Sequence, residues 1–349
     1  MACSVNRNYD RGRTEAELMG MPGELIHWTG KKPQLPGIVL VSLMLGLFPF
    51  FVDIFWIRLV AEFAILALFA LAYNLILGQT GLFSFGHGGL FGLGAYLVAV
   101  PVIKGMTSLP VAFVASLFLT TMMSFVIGWF CLRLTGIYFS ILTLAFSQLI
   151  WVAIWKFRSV TGGDDGLIGL NVPSLFASPV YQYFFILAIV TLSVVMIRII
   201  NNSAFGFTLK AIRENSRRAA FTGINVKRYQ LMAFTVSGFF TGLAGVIFSI
   251  FTRGAFVEFA SVSKSFEPVF AAIVGGVNTF TGPIIGAGFM LALNHFIGRF
   301  TEYWPSMSGI ILISVVIFLP RGIVGTFASL AGRMREATGH VQNEGVKER

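Results

Sequence analysis

Gly206-Phe-Thr-Leu-Lys-Ala-Ile-Arg-Glu-Asn-Ser-Arg-Arg-Ala-Ala-Phe-Thr-Gly-Ile-Asn225 is the core of a basic stretch, 201–229, set between two long apolar runs, 179–199 and 231–251. The stretch carries six basic residues against the single acid Glu214. A polar arm of that kind between runs of about 20 apolar residues is the pattern of a loop joining two membrane spans, since a bilayer core of about 30 Å needs a helix of that length. Within the arm, Phe205, Leu209, Ile212 and Ala219/Ala220 recur at helical spacing, with Lys210, Arg213, Glu214, Arg217 and Arg218 on the other face. This predicts an amphipathic helix over 205–220, and Gly223 suits the left-handed residue that ends one. Two readings of the arm stand side by side. It could lie on anionic lipid headgroups, or it could dock on another protein, which the small residues Ala211, Ala219, Ala220 and Gly223 would let approach closely.

Composition agrees with a membrane chain. The 349 residues are 56% hydrophobic and 11% charged, with a mean hydropathy of +0.81, where soluble domains carry about 25% charged residues. The short alternating segments of a transmembrane β-barrel are not evident. The expected class is an all-α polytopic membrane protein of about ten transmembrane helices, with apolar spans at 36–52, 56–77, 83–103, 109–132, 137–155, 179–199, 231–251, 267–278, 283–297 and 307–320. The pair around Gly275–Gly288 could instead be one span. Ten spans put Lys31, Lys32, Arg133, the arm at 201–229 and the basic C-terminal tail on one side, which the positive-inside rule makes the cytoplasm. Loops 157–178 and 252–266 fall on the opposite side. The expected layout is a polar cytoplasmic tail 1–35, a transmembrane domain 36–328 and a polar cytoplasmic tail 329–349. No cleavable signal peptide is evident. The charge of +10 sits in loops and tails and gives no reason to expect nucleic acid.

Two glycine-rich stretches interrupt the apolar pattern. They are Gly78-Gln-Thr-Gly-Leu-Phe-Ser-Phe-Gly-His-Gly-Gly-Leu-Phe-Gly-Leu-Gly94 and Gly275-Gly-Val-Asn-Thr-Phe-Thr-Gly-Pro-Ile-Ile-Gly-Ala-Gly288. Glycine disfavours a helix by about 1 kcal/mol against alanine, so such density needs a reason. Close helix packing is one. A broken or re-entrant helix, tolerated only inside protein or beside water, is the other. The two are compatible. Their recurrence in both halves raises a possible inverted repeat, although the stretches fall one span out of phase. Candidate path or helix-break residues are Asn74, Gly78, Gln79, Gly81, Ser84, Gly86, His87, Thr143, Gln148, Gly275, Gly276 and Gly282. The polar groups of span five, Thr143, Ser147 and Gln148, read as interhelical hydrogen bonds or path lining. Glu62, four residues after Arg58, reads as a local ion pair near the outer interface.

Catalytic chemistry is sparse. Gly30-Lys31-Lys32 lacks the earlier glycine and the Ser/Thr of a phosphate-binding loop, so this chain is not expected to hydrolyse ATP. The four histidines form no helical ligand pair, and no metal or other cofactor is expected. Asp164-Asp165, within Thr161-Gly-Gly-Asp-Asp-Gly166, reads as a turn rather than as a catalytic carboxylate pair.

Ala211-Ile-Arg-Glu-Asn215, Arg218-Ala219 and Gly223-Ile-Asn225 resemble the ATPase-contacting loop of the branched-chain amino acid importer permeases, most closely the LivM type. Tyr73-Asn-Leu-Ile-Leu-Gly-Gln-Thr-Gly-Leu-Phe-Ser-Phe-Gly-His87, Arg133-Leu-Thr-Gly-Ile-Tyr138 with Thr143-Leu-Ala-Phe146, Thr161–Gly166, and Val274-Gly-Gly276 with Gly282-Pro283 and Gly286 resemble further blocks of that family in order, over about 36–328. The resemblance implies a non-catalytic membrane subunit of an ABC importer. Its partners would be a second LivH-like permease, two cytoplasmic ATPases and a periplasmic binding protein. ATP would be hydrolysed by the partner subunits. Ala211, Arg213, Glu214, Asn215, Arg218, Ala219, Gly223, Ile224 and Asn225 would form the ATPase-coupling segment. Leucine, isoleucine and valine would be the cargo, with urea, short amides and other amino acids as alternatives within the family.

Overall fold

The computed structural model describes residues 35–170, 172, 178–297, 309–310, 313–314, 317 and 322–326. The chain divides into compact units at Val41/Ser42. Of the first unit, only the opening of helix α1 (Leu35–Leu47) is described. All that follows concerns the second. The expected span at 307–320 lies largely outside the described residues, as do both tails.

Eight of the expected spans reappear as helices that follow α1: α2 Ile54–Thr80, α3 His87–Ile103, α4 Leu109–Cys131, α5 Ile137–Lys156, α6 Pro179–Asn201, α9 Val226–Thr252, α10 Val262–Gly275 and α11 Gly282–Ile297. Five of them (α2, α4, α5, α6 and α9) are long and apolar enough to cross a membrane. The stretch around Gly275–Gly288 is two helices, not one. Between α6 and α9 the arm forms α7 (Ala204–Glu214) and α8 (Ser216–Phe221).

Helix α9 is the hub. It packs on α2, α3 and α4, and small residues make that packing possible. An added Cβ on Gly242 would lie 2.5 Å from the Thr120 side chain, and one on Gly245 would lie 2.0 Å from the Phe91 carbonyl oxygen. Facing α9, α4 presents buried Ser116, Thr120, Ser124 and Gly128 one turn apart. Thr120 donates to the Ser116 carbonyl at 2.7 Å, and Ser124 donates across to the Phe234 carbonyl at 3.1 Å. Small-residue approach plus hydroxyl bonding is how helices associate when lipid removes the hydrophobic drive between them. The outer faces of α4, α5 and α6 carry exposed Val114, Phe118, Ile141, Leu149 and Leu192, suited to hydrocarbon.

At the end opposite the arm, β1 (Leu167–Ile168) pairs antiparallel with β2 (Gly254–Ala255). Loops 157–178 and 252–266 therefore share a side, as charge placement anticipates. Residues Thr161–Gly166 are a turn: Gly162, Gly163 and Gly166 all have positive φ, and Asp164 and Asp165 are exposed.

Candidate functional site

The arm opens with Ser203, whose hydroxyl accepts from the Gly206 amide at 3.4 Å. Leu209, Ile212 and Ala219 are buried and Phe205 half-buried, in line with the apolar stripe, while Ala220 is exposed. The single expected helix is broken, however. Asn215 leaves α7 in extended conformation (φ −157°, ψ 98°), and its side chain accepts from the Arg218 amide at 2.9 Å, starting α8. An asparagine side chain competes well for an amide at a helix start, and here it wins over continuation. At the far end Gly223 takes φ 87°, and Asn225 caps α9 by accepting from the Arg228 amide at 3.2 Å. Phe205 stacks on Tyr229, ring centres 5.8 Å apart, and ties the two roots of the arm together.

The break gives the arm a concavity. Ala211, Glu214, Asn215, Arg218, Ala219, Thr222 and Ile224 line a notch of about 310 Å³. Six of the nine residues expected to couple to another subunit therefore share one surface. Gly223 and Asn225 shape the exit from it.

Arg213 goes elsewhere. Its guanidinium donates to the Gly78 carbonyl at 2.5 Å and to Asn278 Oδ1. It bridges the end of α2 and the turn between α10 and α11. A Cβ on Gly81 would lie 3.2 Å from Arg213 Cγ. Arg213 thus turns toward the helix bundle and not toward the notch. The two glycine-rich stretches meet at this point. Asn74 Nδ2 donates to the Thr279 carbonyl at 3.4 Å, and a Cβ on Gly78 would lie 2.8 Å from the Val277 carbonyl oxygen.

Each stretch holds a real break. After Gly81 (φ 74°) residues 82–86 are not helical, so the expected span start at 83 moves to His87. Their backbone groups find partners on α5: the Phe85 amide donates to Thr143 Oγ1 at 3.1 Å, and Ser140 donates to the Phe83 carbonyl at 2.7 Å. Irregular backbone among spanning helices survives only with such partners. His87 then locks the start of α3. Ser237 spends its proton on the Ala72 carbonyl at 2.6 Å, so His87 Nε2 must donate to Ser237 Oγ at 2.8 Å, leaving Nδ1 to accept from Ser84 Oγ at 3.1 Å. In a neutral imidazole that selects one tautomer, the one protonated on Nε2. In the second stretch, Gly276 (φ 115°) ends α10. Thr279 donates to the Gly276 carbonyl at 2.9 Å and accepts from the Gly282 amide at 3.0 Å. Helices α10 and α11 then pack back to back, with a Cβ on Gly275 lying 1.8 Å from the Gly282 carbonyl oxygen. Both reasons for glycine, break and close packing, are realised.

Thr143 serves the irregular segment 82–86, while Ser147 bonds between helices, its Oγ meeting Ser265 Oγ at 3.2 Å. Gln79 Oε1, Asn74 Oδ1 and Gln148 Nε2 are buried without a hydrogen-bond partner. Glu62 is half-buried on α2, and Arg58, one turn before it, is exposed. Sequence reading also missed Ser140, Ser237 and Asn278. Their partners lie 57, 150 or 165, and 65 residues away, and no local pattern announces them.

The arm also has a titrating group. Burial, and then the Arg198 and Arg213 charges, pull the Lys210 ammonium down to about 8. Unfolded lysine titrates near 10.4. Between those values the unfolded chain binds more protons, so stability rises with pH across that window. Lys210→Met is expected to flatten the rise in melting temperature of the detergent-solubilised chain between about pH 7.5 and about pH 9.5.

The model of the family described as "Branched-chain amino acid transport system / permease component" matches residues 55–320. LivM, the high-affinity branched-chain amino acid transport system permease protein of Escherichia coli (strain K12), is 26% identical over 287 residues, covering 73% of this chain and 66% of the relative, just under two thirds of its length. LivH of Salmonella typhimurium is 24% identical over 284 residues, covering 74% of this chain and 91% of the relative. The autoinducer 2 import system permease protein LsrC of Salmonella paratyphi B is 25% identical over 244 residues, covering 66% and 68%. No solved structure matches. With about three quarters of its length matched in one run, and with the arm and both glycine-rich breaks inside that run, the chain belongs to the branched-chain amino acid transport system permease family.

Proposed function

We propose that this chain is one permease subunit of an ATP-driven importer of branched-chain amino acids. It would lie in a bacterial inner membrane with the arm on the cytoplasmic side. A second permease would complete the path, two ATPases would drive it and a binding protein would deliver cargo. The observation that carries this reading is the two-sided arm. One side is an exposed notch bearing Glu214 and Arg218. The other is Arg213, hydrogen-bonded to the ends of α2 and α10–α11. A push on the notch is thereby delivered to both glycine-rich breaks, where helix ends can tilt without losing a buried turn. The chain supplies the path and the lever, and no bond-making chemistry. The relatives' names, LivM and LivH, support leucine, isoleucine and valine as cargo.

Co-purification from a membrane holding the neighbouring genes, followed by ATP-dependent leucine uptake in proteoliposomes, tests the assignment. Uptake by the isolated chain driven by an ion gradient would overturn it. In the assembled complex Glu214→Lys, a charge reversal at the notch, is expected to reduce uptake about fivefold or more, with the subunit still inserted and assembled. Wild-type uptake in that variant would remove the notch from the coupling route.

A further inference from the structure

We propose that a groove between α4 and α5 binds an anionic phospholipid, with one acyl chain in the groove and the phosphate at Lys104 and Lys156. The site lies in the leaflet opposite the arm and is independent of what the transporter carries.

The groove follows from how three helices pack. Helix α3 packs on both α4 and α5 and forms the floor where those two part. Tyr96 of α3, Ala112 of α4 and Ile154 of α5 are buried at its base. Val111 and Leu119 of α4, and Phe157 just after α5, stand exposed along its rim. The space holds about 500 Å³, within the range of about 300–1,000 Å³ common for ligand sites. Its lining is almost wholly apolar, and the Thr161 hydroxyl is already turned to the Ile154 and Phe157 carbonyls at 2.6 Å and 2.9 Å. A zwitterionic cargo finds nothing to bond to here, whereas hydrocarbon does.

Length and level both fit a lipid. From Leu93 in the floor to Lys104, which follows α3, is eleven residues, roughly 16 Å along a helix axis. One leaflet's share of a hydrocarbon core of about 30 Å is the same length. Trp151 and Trp155 of α5 stack with ring centres 6.2 Å apart, and Trp155 is exposed, one residue before Lys156. An exposed tryptophan at the end of a span marks the headgroup level. The mouth of the groove therefore sits among the phosphates.

The mouth carries the matching charge. Lys104 Nζ donates to the Ser159 carbonyl at 3.0 Å, tying the end of α3 to the segment after α5. An ammonium has three donors, so two remain. Lys156 ends α5 three residues before Ser159 and is exposed. Among the described residues neither lysine is in an ion pair. Arg158 is engaged elsewhere: its side chain lies over Gly163, where a Cβ would stand 2.5 Å from Arg158 Cγ, beside exposed Asp164 and Asp165. The two lysines are thus left to an outside anion, at the open end of an apolar groove one leaflet long. An apolar helix of a second permease would fill the groove and leave the lysines unanswered.

The test is native mass spectrometry of the full chain in detergent, alone and with its co-purifying subunits. The probes are palmitoyl-oleoyl phosphatidylglycerol and the phosphatidylcholine with the same chains. Phosphatidylglycerol is expected to be held about tenfold or more tightly. Lys104→Gln and Lys156→Gln are each expected to lower that preference about threefold or more, and the double variant to remove it. Ala115 is exposed in the groove wall, so Ala115→Trp fills the groove without entering the core. It is expected to weaken phosphatidylglycerol retention about tenfold at an unchanged melting temperature. Equal retention of the two lipids by the wild-type chain overturns the site. Undiminished retention in both Ala115→Trp and the double lysine variant describes an unspecific lipid ring and overturns it too. If Ala115→Trp does not fold, Ala153→Phe in the opposite wall decides, with weakened retention supporting the site and undiminished retention overturning it. A preference shown by the isolated chain but lost in the complex would make the groove a subunit contact, and the lipid assignment would fall.

Discussion

Arg213→Ala is expected to lower ATP-driven uptake by the assembled transporter about tenfold or more, with the subunit still inserted and assembled. The guanidinium makes two charge-assisted bonds across the bundle, to the Gly78 carbonyl and to Asn278 Oδ1. Each such bond contributes roughly 1.5–3 kcal/mol net. The static bundle keeps other supports at these places, since α2 continues to pack on α6, α9, α10 and α11. The loss should therefore fall on transmission more than on folding. Arg213→Lys separates charge from geometry. A lysine ammonium is a point charge on a flexible stem and cannot present the fixed fork that reaches two acceptors at once, so it should recover less than half of the lost rate. Stimulated ATPase activity is the second readout. If Arg213 passes on motion, hydrolysis continues in Arg213→Ala while uptake falls, and ATP consumed per leucine rises. Wild-type uptake would show that the bridge is incidental. An equal fall in hydrolysis and uptake would place Arg213 in the docking surface and not behind it.

Much of the fold was legible, for a physical reason. A membrane span must satisfy its own backbone, so apolar run length reports a helix with little help from tertiary context. The spans read at 137–155 and 179–199 match helices Ile137–Lys156 and Pro179–Asn201 closely. The misreadings share the opposite cause. Residues 83–86 carry the apolar pattern of a span, yet they are held out of the helix by Ser140 and Thr143 of α5. In the arm, the stripe from Phe205 to Ala220 masked the Asn215 break, although Asn-Ser is itself a helix-start signal. Arg213 sat on the polar face of that stripe, where solvent or a partner is the default reading; its real acceptors are 135 and 65 residues away.

The glycines divide into those that bend and those that only make room, and the second kind gives the largest structural prediction. Gly245, in the middle of α9, takes no unusual φ; an added Cβ would sit 2.0 Å from the Phe91 carbonyl oxygen and 2.8 Å from its carbon. The obstacle is α3 backbone, which cannot rotate aside as a side chain could. Gly94 faces Gly242 in the same interface, with a Cβ–oxygen distance of 2.5 Å, so α3 and α9 touch backbone to backbone along this seam. Gly245→Val must push α3 outward, and α3 carries His87, whose bonds to Ser84 and Ser237 close the first break. Overpacking costs about 1–3 kcal/mol where side chains can adjust; with backbone as the obstacle the expected loss is at the top of that range or above. The measurements are the melting temperature in detergent and the amount of inserted protein, both expected to fall sharply. Gly46→Ala is the control, since nothing lies within 4 Å of its Cβ and it should behave as wild type. If Gly245→Val matched that control, α3 and α9 would have to be separable in the folded subunit. The His87–Ser237 bond, which joins the two helices, would then have to survive their separation, which a bond of 2.8 Å does not permit.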